Sequence, residues 1–313
     1  MRPPDPQLAA AILMIRPVAF AGNPQTQASN SFQDRDAGAI DAANQAAALR
    51  EFEGLAAALR EAGVAVHVFD DTLEPHTPDS IFPNNWVSFH ADGTVVLYPM
   101  LAENRRLERR LDVLEALSAK HGFRASRVID LTGHEQTGRY LEGTGSLVLD
   151  RAQRVAYACV SPRTDLDVLG DFAQQLDYDV VAFEARDANG AAIYHTNVLM
   201  SVGERFAAVC TSAIREDERA AVLNTLRQSG RAVVELTLEQ MAAFAGNMLE
   251  LGSSRTGSVL AMSERAREVL TPDQRKTLEV NAGPIVATPI PTIERLGGGS
   301  VRCMLAEVHL PRK

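Results

Sequence analysis

Cysteine is scarce in this sequence: three in 313 residues, an odd number and widely spaced. They support no disulfide framework and fit a reducing cytoplasm. No pair of Cys or His stands at metal-ligand spacing, so no metal is expected. Positive charge is short too, with 31 Lys and Arg against 40 Asp and Glu and a formal charge of −9. That excludes nucleic acid as a partner, which would select a basic face. Long apolar runs are missing, and none approaches the ~20 residues that span a bilayer. A membrane partner is therefore excluded as well. The segment Met1–Ala10 is proline-rich and lacks a charged region followed by an apolar core, and is expected to be a short N-terminal arm. What is present suits a folded enzyme: 46% hydrophobic and 23% charged residues can build a real core. No Pro- or Ser-rich linker divides the chain, so residues 11–313 are expected to form a single domain.

The pattern within that domain repeats. Leu8–Phe20 is a continuous apolar run with β-formers, Asp36–Ala62 carries Ala, Leu and Phe at helical spacing up to Gly63, and Val64–Phe69 is a second strand. Trp86–His90 and Thr94–Tyr98 flank Asp92-Gly93, a hairpin signal. A helix over Glu103–His121 and a strand over Arg127–Leu131 follow. Hairpin, helix and strand then recur through Ser146–Phe183, Asn197–Leu236 and Met248–Thr288, where Thr271-Pro272-Asp273-Gln274 opens a helix with a capping box. The last strand, Ser300–His309, is expected to pair with the first and close a ring. The period is roughly 50–60 residues, repeated about five times. A doubly wound parallel sheet with inserted hairpins is the alternative. The ring is preferred because the order is kept each time.

Each hairpin opens on polar groups that a solvent-facing loop does not demand. They are Asp79 with Asn84-Asn85, Glu142-Gly143-Thr144-Gly145, His195-Thr196-Asn197, Gly246-Asn247, and Gly299-Ser300-Val301-Arg302-Cys303. Around an axis, equivalent starts converge, which would gather Cys303, His195, Glu142 and Asp79 into one pocket. Three consecutive glycines, Gly297 to Gly299, cost backbone entropy and make sense where the chain passes close to something else. A thiol beside them is where a nucleophile would be put, although a lone Cys is by default a small buried hydrophobe. Taken singly, a His before a strand is a core histidine and Glu142 a turn carboxylate.

Taken together, Pro78-Asp79-Ser80-Ile81-Phe82-Pro83-Asn84-Asn85, Leu141-Glu142-Gly143-Thr144-Gly145-Ser146, Ser161-Pro162-Arg163-Thr164, His195-Thr196-Asn197 and the glycine-rich approach to Cys303 resemble the guanidine-modifying pentein superfamily. That superfamily includes arginine deiminases, dimethylarginine dimethylaminohydrolases and amidinotransferases. The likeness covers nearly the whole chain. Asn84-Asn85-Trp86 and Asn104 to Arg109 make it most similar to bacterial citrulline-utilisation hydrolases. The resemblance implies a five-bladed α/β propeller without a cofactor. It implies Cys303 as nucleophile, His195 as general acid/base and Glu142 as the carboxylate that orients it, with His⁺ lowering the cysteine pKa. It places Arg163 and Arg105 (or its neighbour Arg106) on a substrate α-carboxylate. Asp79 would anchor substrate NH or amine.

The departures bear on substrate. Deiminases place carboxylates where this chain has Asn85 and Asn197, and the dimethylarginine enzymes also have an acid at the Asn84 position. A guanidinium is a cation with donors only, whereas a ureido group is neutral and offers a carbonyl. Amides suit the second without burying an unpaired anion. The expected reaction is therefore hydrolysis of citrulline to ornithine, carbon dioxide and ammonia. Behind it stand a guanidino substrate (arginine or a methylated arginine), an amidinotransferase and a non-catalytic propeller that only binds. The expected partner is a small amino acid, with a homodimer left open. Cys159 and Cys210 read as packing residues, His67, His90, His121 and His309 as residues without a role, and Trp86 as a core or pocket-wall aromatic.

Overall fold

The computed structural model describes residues 5–34 and 41–312. The expected helix start at residues 36–40 and the first four residues of the arm lie outside them. Among the described residues, fifteen strands make five separate three-stranded sheets. Strand β1 (Ala11–Arg16) pairs in parallel with β2 (Ala65–Asp70) and antiparallel with β15 (Ala306–Val308), in the register Ala11↔Val308 and Leu13↔Ala306. The first sheet is thus sewn from both ends of the chain, as the repeat pattern anticipated. The other four sheets obey the same rule without a break in sequence. They contain β3 (Val87–Phe89), β4 (Thr94–Leu97) and β5 (Arg127–Asp130); then β6 (Leu147–Asp150), β7 (Val155–Cys159) and β8 (Asp179–Phe183). Next come β9 (Met200–Val202), β10 (Phe206–Val209) and β11 (Ala232–Glu235); then β12 (Leu249–Ser253), β13 (Gly257–Ser263) and β14 (Ile285–Thr288). In every sheet the middle strand is antiparallel to one neighbour and parallel to the other. A parallel partner needs a long crossover, and helices supply it.

Local chemistry starts those helices. Asp41 caps Ala42–Glu61 by accepting from the Ala43 N–H, and Phe52, Leu55 and Leu59 are its buried stripe. Asp165 caps Leu166–Leu176, and Thr271 with Gln274 closes a capping box before Pro272–Ala282, where Pro takes the first position. The expected helix over Glu103–His121 is two, Glu103–Arg106 and Leu111–His121. Between them the chain turns so that Arg105 and Glu108 pair inside the protein while Arg109 reaches the Tyr98 carbonyl. Leu238–Ala242 and Pro291–Gly297 are helices the periodicity did not announce.

The strands expected from Ser146, Asn197 and Ser300 begin later than expected. Their first residues form single helical turns: Gly143–Ser146, Thr196–Leu199 and Val301–Met304. Pro83–Asn85 is the equivalent turn before β3. Cys303 therefore stands on a turn, three residues ahead of its strand. The turn at 143–146 packs against those at 83–85 and 196–199, and the turn at 83–85 packs against that at 301–304. Asn247, ahead of β12, donates to the Asn197 carbonyl and accepts from the Arg302 N–H. The arm is packed rather than loose over residues 5–10. Gln7 donates to the carbonyls of Leu149 and Val202, and buried Asp5 faces His90 and Arg151. Trp86 is a fully buried core residue, as are Cys159 and Cys210.

Candidate active site

The turns deliver their polar side chains to a small, nearly filled cavity of about 10 Å³, walled by Cys303, His195, Asp79, Asn85, Arg105, Arg163 and Tyr194. Thr26 and Asn30 line it from the segment after β1. The glycine run fits the close approach expected of it. Gly297 ends a helix, and Gly298 follows in the left-handed region at φ 62°. A Cβ on Gly298 would stand 2.5 Å from the Asn30 amide, and one on Gly297 2.7 Å from the Phe82 ring. Tyr194 fastens the run by donating its hydroxyl to the Gly298 carbonyl at 2.5 Å.

Glu142 lies behind the cavity wall and is fully buried. Its Oε2 meets His195 Nε2 at 2.8 Å, Arg163 Nη1 at 3.3 Å and Arg105 Nη1 at 3.7 Å, while Oε1 accepts the Leu101 N–H at 3.1 Å. Burial alone would raise its carboxyl, but Arg163, the His195 hydrogen bond and Arg105 outweigh burial and hold it well below the usual carboxylate range. It is an anion throughout the working pH range. His195 responds in the opposite sense: burial pushes its imidazole down to about 4 against the pull of Glu142. The imidazolium expected to lower the cysteine pKa is thus absent from the resting site at neutral pH. A neutral imidazole that gives its Nε2 proton to Glu142 carries its lone pair on Nδ1, free to accept a proton.

Cys303 is 3% exposed. The Asn197 and Asn247 side-chain amides donate to its Sγ at 3.4 and 3.3 Å. Asn197, expected against substrate, thus turns its NH₂ to the sulfur, and its Oδ1 is buried without a partner among the described residues. Asn85 lines the cavity, accepts from Arg105 Nη1 at 2.9 Å and donates to Asn84 Oδ1 at 3.1 Å. Asn84 is buried behind it. Asp79 Oδ2 takes the Asn23 amide at 2.8 Å, and its Oδ1 has no partner among the described residues.

The two arginines differ. The Arg105 fork lies on Glu108 at 2.9 Å through both Nε and Nη2, so its best carboxylate-binding edge is occupied. Arg163 stacks 5.0 Å over the Tyr194 ring and holds the Ser29 hydroxyl and Thr26 carbonyl, partners a carboxylate could replace. Arg106 turns away to the Met100 and Leu101 carbonyls and Glu135. The sequence pattern placed Asn247 among the converging polar groups without giving it a role, and did not single out Tyr194 or Glu108. A role for Asn247 was within reach, because it stands two residues before its hairpin strand, as Asn85 does before its own.

A family model described as N,N dimethylarginine dimethylhydrolase, eukaryotic, matches residues 16–310. No curated protein sequence matches. Among solved structures, the apo arginine dihydrolase ArgZ of the cyanobacterial ornithine–ammonia cycle superposes with a TM-score of 0.73 at 19% identity. The match covers 97% of this chain and 41% of that one. The chain thus spans well under half of the full-length enzyme, but 99% of the ArgZ N-terminal domain bound to substrate, with TM-score 0.71, 19% identity and 96% of this chain covered. A dimethylarginine dimethylaminohydrolase variant carrying an S-methyl-L-thiocitrulline adduct matches with TM-score 0.64 at 15% identity, over 96% of this chain and 99% of that one. At these identities the structural matches speak to the fold.

Proposed function

Because the chain belongs to the N,N dimethylarginine dimethylhydrolase family, within the guanidine-modifying pentein enzymes, we propose that it hydrolyses a carbon–nitrogen bond of an α-amino acid's ureido group, with citrulline as substrate and Cys303 as nucleophile. The observation that carries this reading is the surroundings of Cys303. Its sulfur shares a cavity with His195, itself backed by Glu142, and its own hydrogen-bond partners are amides rather than acids.

In the proposed reaction the Cys303 thiol gives its proton to His195 Nδ1 as the sulfur adds to the ureido carbon. His195 returns that proton to a departing amine, leaving a thiocarbamate on the sulfur. Water, deprotonated by His195, cleaves the thioester bond, and the resulting carbamate falls to carbon dioxide and the second amine. Glu142 holds the ring in the productive tautomer and stabilises the transient imidazolium. Arg163 takes the α-carboxylate and the free Asp79 oxygen takes an amine or NH. Arg105 would position Asn85 rather than grip the carboxylate itself. The same reading makes residues 11–313 one catalytic domain, its five sheets forming a five-bladed propeller around the cavity without a cofactor.

One observation favours a guanidino substrate instead. Asp79 lines the cavity with one carboxylate oxygen unpartnered among the described residues, and a bound cation would satisfy it; Glu108, pushed up to about 8 by burial, adds no further charge at neutral pH. Incubating the protein separately with citrulline, arginine and dimethylarginine, and scoring ornithine against citrulline as product, separates the two. Ornithine from citrulline supports the first reading. Turnover of the guanidino substrates alone, with citrulline inert, overturns it.

A further inference from the structure

Resting on the reading of Cys303 as nucleophile, we propose that Asn197 and Asn247 are the donors that carry the sulfur's negative charge, when it ionises to attack and again when the thiol-bound intermediate breaks down. The two residues come from neighbouring repeats, Asn197 on the turn before β9 and Asn247 in the approach to β12. Each directs Nδ2 at Sγ, at 3.4 and 3.3 Å.

The orientation of Asn247 is set by its other bonds. Its Oδ1 must accept the Arg302 N–H at 3.0 Å, and its Nδ2 must donate to the Asn197 carbonyl at 2.9 Å. A flipped amide would break both, so the NH₂ is fixed toward the sulfur. A neutral thiol gains little from this arrangement, because among the described residues its S–H has only the Asn247 Oδ1 at 3.7 Å to donate to. A thiolate accepts from both amides at once, and hydrogen bonds to a charged acceptor are roughly twice as strong as neutral ones. With Cys303 3% exposed, water cannot substitute freely for these donors.

Two ionisable groups that act electrostatically on Cys303 are Tyr194, which remains a phenol, and Arg302, paired with Glu307 at 2.7 Å. His195 is neutral at rest. The amide pair supplies the direct hydrogen-bond donors for a charge on the sulfur among the described residues. It also explains what an amide at position 197 does that a carboxylate could not, since an acid there would set like charges against each other.

The test is the pH dependence of iodoacetamide labelling at Cys303, located by peptide mass, in the wild type, Asn197→Ala, Asn197→Asp and Asn247→Ser. Loss of one donor should move the labelling midpoint up by about one pH unit, roughly tenfold slower labelling at a fixed pH below it. Asn197→Asp should move it further. Asn247 also anchors backbone, so Asn247→Ser carries a folding risk. The Asn197 side chain has Sγ as its one hydrogen-bond partner among the described residues, so Asn197→Ala keeps the test open. Midpoints unchanged in folded Asn197→Ala and Asn197→Asp overturn the proposal. Labelling needs no substrate, so this result stands apart from the fate of the nucleophile reading, which fails if Cys303→Ser retains turnover.

Discussion

Exchanging Glu142 for glutamine changes one charge while preserving shape, and the geometry fixes the consequence. A glutamine that keeps its oxygen on the Leu101 N–H turns its NH₂ toward His195 Nε2, Arg163 Nη1 and Arg105 Nη1, all three of them donors in the native site. The imidazole can meet that NH₂ only by offering an Nε2 lone pair. Its proton then moves to Nδ1, and the base is lost. A tautomer error of this kind lowers kcat by about 10³–10⁴-fold, roughly 4–6 kcal/mol at about 1.4 kcal/mol per decade. The two guanidiniums also lose a shared buried anion, which destabilises by about 3–5 kcal/mol and lowers the melting temperature by about 10 °C. Steady-state ammonia release and calorimetry on the same preparation read both effects. A Glu142→Gln enzyme within tenfold of wild type, melting at an unchanged temperature, would refute the assignment of Glu142 as the group that orients His195.

Cys303→Ser should abolish turnover and leave the melting temperature nearly unchanged, because the sulfur bonds only Asn197 and Asn247; full activity removes the covalent route. Asn85→Asp sets a carboxylate beside Arg105 and an acceptor against Asn84 Oδ1. The kcat/KM ratio of citrulline to arginine should fall about tenfold, and an unaltered ratio counts against the argument from amides. The acid limb of kcat/KM should sit near pH 4 and not near 6.5, because His195 is desolvated. The folded pKa of His195 lies below the unfolded one, so its stabilising share is full above pH 6.5 and is lost as pH falls toward 4. That share is about 3 kcal/mol, readable as a stability difference between wild type and His195→Gln that narrows across the window. Gly145→Ala would place a Cβ 2.4 Å from Asn85 Nδ2 and 2.7 Å from His195 Nδ1. Displacement of the ring should reduce kcat at least 100-fold, and wild-type kinetics would show that the ring position is not critical.

Much of the architecture was written locally. Gly122 ends its helix at φ 72°, Asp92-Gly93 turns its hairpin at φ 86°, and Thr271-Pro272 starts a helix; each depends on neighbours within four residues. The joining of β15 to β1 followed from the repeat, because a fifth sheet needed both ends of the chain. What escaped depends on distant groups. Arg105 was expected on a substrate carboxylate and Glu108 was given no role, since charged residues are seldom fully buried, and only their mutual bidentate pairing inside the protein shows where the two belong. The stretches at 143–146, 196–199 and 301–304 continue a strand composition and were assigned to strands or left as approaches to them. They are held as turns from outside. Gly143, at φ 47°, lies where a Cβ would be 2.3 Å from the Asn84 carbonyl, Gly246 lies as close to the Val198 carbonyl, and Asn247 Oδ1 takes the Arg302 N–H. The local pattern therefore fails where one repeat grips the next, and those are the residues that carry polar groups to the cavity. A site spread over such turns has no single-repeat version: loosening the grip at Gly246 should disturb Asn197 and Cys303 together, although neither is its neighbour in sequence.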